Sequence, residues 1–170
     1  MCKKPPLPGD IGLSRTPGVV GFLISLGQLL LGDPSPFTHT FIVIDGTRVL
    51  GAQPGGARYG SLKRYIDEDK AVFTTGRIPL TKEQRDSIVA EANKLLGTPY
   101  SYLDYLAIAL HRFHVRFAFI EDYILNSGHM ICSQLTDEVY RRAGIQLFDD
   151  GRLPHDVTPG DIANMLIEEW

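Results

Sequence analysis

The chain has 170 residues, 17 of them basic and 20 acidic, for a formal net charge of −3. That length suits one domain with a real core, and mild acidity without a basic run excludes the usual nucleic-acid binder. Two cysteines, one of them at position 2, make no disulfide framework, so the fold does not depend on an oxidising compartment.

Residues 1–8 form a Pro-rich lead, with Pro5, Pro6 and Pro8 favouring extended backbone. Residues 9–14 predict a short strand, and Pro17 suits the first position of an apolar helix reaching Leu31. The apolar run 19–31 is about 13 residues against the roughly 20 that span a bilayer, and Gln28 interrupts it. It begins too late, after the prolines, to be a signal peptide. A core helix is expected there, with a greasy wall beside a lipid or apolar ligand as the alternative.

Residues 38–44 and 48–52 are β-branched and apolar, and they flank Asp45-Gly46, a hairpin signal. Pro54-Gly55-Gly56 breaks the second strand, and residues 71–78 predict another. Thr81 and Gln84 form a capping box ahead of a helix with Ile88, Val89, Ala92, Leu95 and Leu96 on its apolar face, closed by Gly97. Residues 102–125 have helical character without a clear phase. Residues 132–143 predict a helix whose apolar positions are Cys132, Leu135, Val139 and Ala143, stopped by Gly144. Thr158 and Asp161 cap a final short helix. With no repeats or linkers, the whole of 1–170 is expected to be one α+β domain.

Cys132 carries the main chemical signal. A thiol in the first turn of a helix meets partial positive charge and free N–H donors, which favour thiolate and a developing oxyanion. The competing reading is a buried structural cysteine. A thiolate nucleophile needs a histidine base. His39 opens the most apolar strand, and His129 lies three residues before the thiol. His111 and His114 have a spacing that suits a metal on one helix face but lack an evident third ligand, so neither metal nor cofactor is expected. His155 reads as a loop residue.

Taken together, Leu96-Gly97-Thr98-Pro99-Tyr100, the later Cys-Ser-x-Leu at 132–135 and the Thr-His strand before a hairpin resemble the NlpC-type papain-like cysteine peptidases. Since His39 precedes Cys132, the order resembles the circularly permuted branch. The opening Pro8-Gly9-Asp10-Ile11, the passage Gly76-Arg77-Ile78-Pro79-Leu80-Thr81 and the closing Thr158-Pro159-Gly160-Asp161 are similar to it as well. The resemblance spans most of residues 8–166. It implies a papain-like, circularly permuted α+β fold, a central antiparallel sheet with packed helices.

By that resemblance Cys132 is the nucleophile, His39 the base, and Tyr100 and Ser133 substrate or oxyanion contacts. Where the family places a polar orienter for the histidine, on the paired strand, this chain has Gly51. A three-residue loop Asp45-Gly46-Thr47 would set His39 opposite Gln53, making Gln53 the third catalytic member; a two-residue loop would set it opposite Ala52. A backbone carbonyl, water or no orienter are the other options.

The expected activity is amide cleavage by a thiol hydrolase on peptide-like substrates, peptidoglycan among them by resemblance. Lipid-ester hydrolysis or acyl transfer is the alternative within the fold. A catalytically silent structural or binding module, such as a phage-tail component, is the alternative outside it. Expected partners are a peptide-like or acyl substrate and a cell-wall or phage-assembly component, with no nucleic acid and no transmembrane span. Oligomeric state and localisation stay open.

Overall fold

The computed structural model describes residues 4–31, 34–53, 56–67, 71–99 and 132–167. In chain order they form β1 (Ile11–Ser14), α1 (Gly18–Leu31), β2 (His39–Val43), β3 (Arg48–Gln53) and β4 (Gly56–Ser61). There follow α2 (Leu62–Asp67), β5 (Ala71–Phe73), α3 (Lys82–Lys94), α4 (Cys132–Arg142), a 3₁₀ turn (Pro154–Asp156) and α5 (Pro159–Ile167). The protein is α+β. The five strands among the described residues form an antiparallel sheet in the order β4-β3-β2-β1-β5. No helix among the described residues is long and apolar enough to cross a membrane.

Alternation along the strands sends side chains to two apolar layers. Ile11, Leu13, Ile42, Ile44, Leu50, Ala52 and Ala57 pack with Ile88 and Ala92 of α3, Leu135 and Val139 of α4, and Ile162 of α5. On the opposite face Phe41, Val43 and Val49 pack with Leu62 and Tyr65 of α2 and Phe73 of β5. The Phe41 ring needs Gly12 beneath it, because a Cβ there would lie 2.1 Å from the ring.

The helix carrying Cys132 is buried from Cys132 through Tyr140, including Leu135 and Val139 with no exposure. Burying each side chain of that size contributes about 1.5–3 kcal/mol before entropy. Glu138, in the middle of α4, pairs with Arg141 at 2.9 Å and Arg142 at 2.7 Å, so its burial leaves no lone charge. Gly144 takes φ 78°, and the next amide, of Ile145, donates back to Tyr140 O at 2.9 Å, closing the helix end. Both expected helix starts have their caps. Thr81 and Gln84 exchange side-chain bonds at α3, as do Thr158 and Asp161 ahead of α5.

Two expectations along the chain are corrected. The strand expected over 71–78 ends at Phe73, because the Thr74 hydroxyl accepts from Ile11 N at 2.9 Å and Arg77 N closes a turn onto Thr74 O. The Gly/Pro break after β3 is followed by a further strand, β4, paired with β3 from Arg48↔Ser61 to Gln53↔Gly56. The expected helical stretch 102–125 lies outside the described residues.

Candidate active site

The hairpin sets the histidine. Asp45 Oδ1 accepts from Thr47 N, Thr47 Oγ1 and Arg48 N, while Ile44 N and Asp45 N both donate to Arg48 O. Those bonds make Asp45-Gly46-Thr47 a three-residue loop and give the register Val43↔Val49 and Ile42↔Leu50. Carried along the strands, that register sets His39 opposite Gln53 and Phe41 opposite Gly51. The flanking ladders continue further, to Ser14↔His39 on one side and Gln53↔Gly56 on the other. The β2–β3 pairing thus stops just short of His39 and Thr40, while each strand stays paired to its outer neighbour.

Beside Thr40 stands the start of α4. Cys132 is buried and is a free thiol. Burial pushes its pKa up, opposed by the amides of Thr40, Ser133 and Cys132 itself and by the Thr40 hydroxyl, all of which favour the thiolate. The depressed thiol expected of a helix start is corrected here: desolvation outweighs the nearby donors. Thr40 Oγ1 lies 3.0 Å from Thr136 Oγ1, and Thr136 Oγ1 donates to Cys132 O at 3.0 Å. Ser133 Oγ donates to Val157 O at 2.6 Å, so that hydroxyl clamps the helix start to the segment before α5 and only the Ser133 amide faces the sulfur.

His39 projects to the α2 face of the sheet. Its ring lies over Gly51, where a Cβ would stand 3.3 Å from Nε2 and 3.2 Å from Phe41 Cβ. Phe41 continues the face, with Tyr65 stacked on it at 4.1 Å between centroids. Enclosure by protein lowers the imidazole from 6.5 to about 4, so the ring is neutral at pH 7. The Tyr65 phenol is pushed up chiefly by burial; the Cys132 thiolate adds to the shift and Arg64 opposes it. Among the described residues Cys132 is approached by Thr40, the residue following the histidine, whose side chain faces α4, while His39 itself projects to the other face of the sheet.

Gln53 shares the histidine's face, but its Oε1 accepts from Arg58 Nε at 3.2 Å. The Leu96–Pro99 stretch docks on β4, with Ala57 N donating to Thr98 O and Gly97 N to Ala57 O, both 2.8 Å. It therefore arrives at the Gln53↔Gly56 end of the sheet. Tyr100 itself lies outside the described residues, as do Cys2, His111, His114 and His129. His155 falls in the 3₁₀ turn. Sequence reasoning passed over Thr40 and Thr136, whose signal is only that one follows His39 and the other lies one helical turn after Cys132.

No family model and no curated protein matches the chain. Among solved structures it is similar to the crystal structure of the metalloprotein yiiX from Escherichia coli O157:H7 (DUF1105), with a TM-score of 0.60 and 21% identity. The match covers 95% of this chain and 81% of that one. The two share a fold.

Proposed function

We propose that the protein is a cysteine hydrolase of the circularly permuted, papain-like NlpC type, cleaving amide bonds in peptide-like substrates. The observation that carries this reading is a helix-start thiol standing against Thr40, next in sequence to a partly buried, neutral histidine.

In the proposed mechanism both groups start uncharged. As the Cys132 sulfur attacks the carbonyl carbon, its proton passes to the His39 imidazole. The carbonyl oxygen becomes an oxyanion, held by amides at the start of α4. Collapse breaks the C–N bond, and His39 returns the proton to the leaving amine. Water, deprotonated by His39, then hydrolyses the thioester and restores the thiol. At pH 7 an imidazole near pKa 4 is unprotonated and available to accept a proton, but it is a weak base against a thiol that burial pushes up, so the transfer has to accompany attack on the carbonyl.

The neighbour yiiX is a metalloprotein by name. Among the described residues here, no group of three or more His, Cys, Asp or Glu side chains converges as metal ligands would, so no step is routed through a metal. The silent-module reading has one observation in its favour: among the described residues, Gly51 and the Arg58-bound Gln53 leave His39 without a side-chain orienter.

Hydrolysis of peptidoglycan fragments and of short-chain acyl esters, by the unmodified protein and by Cys132→Ala and His39→Ala, tests the proposal. It predicts fragment cleavage lost in both variants. Ester cleavage alone moves the substrate to lipids or other acyl esters. Binding of a wall fragment with no turnover on either class favours the silent module.

A further inference from the structure

Thr40 and Thr136 are both fully buried at the contact between β2 and α4. A threonine bonding back to the carbonyl four residues earlier is ordinary in helices. Thr40 is not part of that habit. It comes from a strand 96 positions away, lies 3.0 Å from the Thr136 hydroxyl, and offers both its amide and its hydroxyl to the sulfur.

We infer that Thr40 and Thr136 form a two-hydroxyl relay that positions the Cys132 sulfur and stabilises its thiolate. The inference rests on Cys132 acting as the nucleophile.

The hydrogens can be counted. In the resting thiol the Thr136 O–H donates to Cys132 O. The Thr40 O–H is then the donor to Thr136 Oγ1. The Thr40 oxygen is left to accept from the thiol S–H. The chain of bonds leaves Cys132 at its sulfur and returns to it at its carbonyl. When the S–H bond breaks and the proton passes to His39, both hydroxyls rotate. Thr40 donates to the thiolate and Thr136 donates to Thr40, while Cys132 O keeps its main-chain helix bond. No heavy atom moves, and the buried anion gains a charge-assisted donor. Among the described residues, Tyr65 of α2 interacts electrostatically with this sulfur, and His39 is the neighbour of Thr40 on β2. The first turn of α4 carries no acidic side chain.

The experiment is iodoacetamide labelling of the full chain, read at Cys132 by peptide mapping, from about pH 6 to about pH 11.5, a window that runs past an ordinary thiol pKa because burial raises this one. Thr40→Val keeps the shape and deletes the hydroxyl. It is expected to move the Cys132 midpoint up by about one unit, roughly tenfold less labelling on the acid side. Thr40→Ser is expected to restore the profile, and Thr136→Val to shift it the same way by less. A purely structural role would lower the melting temperature without moving the midpoint, and that result overturns the relay. If Thr40→Val labels like the unmodified protein while His39→Ala slows labelling, the relay falls and the nucleophile assignment stands. If Cys132 is not labelled in any of these proteins across the range, the nucleophile assignment itself falls.

Discussion

His39 Nε2 lies 3.3 Å from the point that a Cβ on Gly51 would occupy. The imidazole thus takes up the space in which a side chain at position 51 would orient it. The missing polar residue and the buried ring are two sides of one packing choice. Gly51→Ala forces the ring to give by a few tenths of an ångström, with Phe41 Cβ at 3.2 Å blocking the other direction. Turnover is expected to fall about tenfold, since misplacing a catalytic group by 1 Å can cost 10²-fold. Steady-state kinetics checks this; an alanine variant as active as the unmodified protein would show that the ring tolerates displacement.

Gln53 is held by Arg58 at 3.2 Å. Gln53→Ala should therefore leave both turnover and its pH profile unchanged. A clear loss of kcat, with folding intact, would mean that the glutamine swings from Arg58 to His39 during the reaction.

How much of this was legible in the sequence differs by element. The hairpin, the capping box at Thr81, the Cys132 helix and the Thr158 cap are written in local residue chemistry, and each stands close to its expected place. β4 was hidden because Gly56 and Gly60 interrupt it and its Arg58 and Tyr59 are exposed, so no apolar alternation marks it. The register of His39 hinged on one aspartate, Asp45, gathering three donors into a bulged loop, a choice that strand pattern alone leaves open. The raised thiol was not legible at all. A helix start is visible in sequence, whereas the protein that encloses it comes from β2 and the segment before α5, far away along the chain.

The buried histidine has a consequence for acid stability. Its folded pKa, about 4, lies below the unfolded 6.5. Between those values the unfolded chain binds a proton that the folded one refuses. Its contribution is fully present above about pH 6.5 and is lost as pH falls towards 4; the shift sets a ceiling of about 3 kcal/mol at about 1.4 kcal/mol per unit, and the ring's remaining solvent contact keeps the loss below it. Urea unfolding at pH 7 and near pH 4.5 should show a smaller acid loss for His39→Gln than for the unmodified protein. Equal losses would mean that the ring is solvated.

Asp10 anchors the lead to α3. Its carboxylate is almost fully buried and accepts from Leu7 N at 2.8 Å, Thr75 Oγ1 at 2.7 Å and Arg85 Nη1 at 2.7 Å. Arg85 also holds Pro8 O at 2.8 Å. Removing the guanidinium strands a buried charge, so Arg85→Ala should cost about 3–5 kcal/mol in a denaturant titration. A cost under about 1 kcal/mol, the level of a surface pair, would contradict the burial of this contact.

The central claim is that Cys132 forms a covalent acyl intermediate with His39 as its base. Mass spectrometry of the protein mixed with p-nitrophenyl acetate and quenched in acid tests it most directly. The account predicts an acetyl thioester mapped to Cys132, cleared by hydroxylamine, absent in Cys132→Ala and formed far more slowly in His39→Ala. No adduct at Cys132, or an adduct formed equally fast without the histidine, would contradict it.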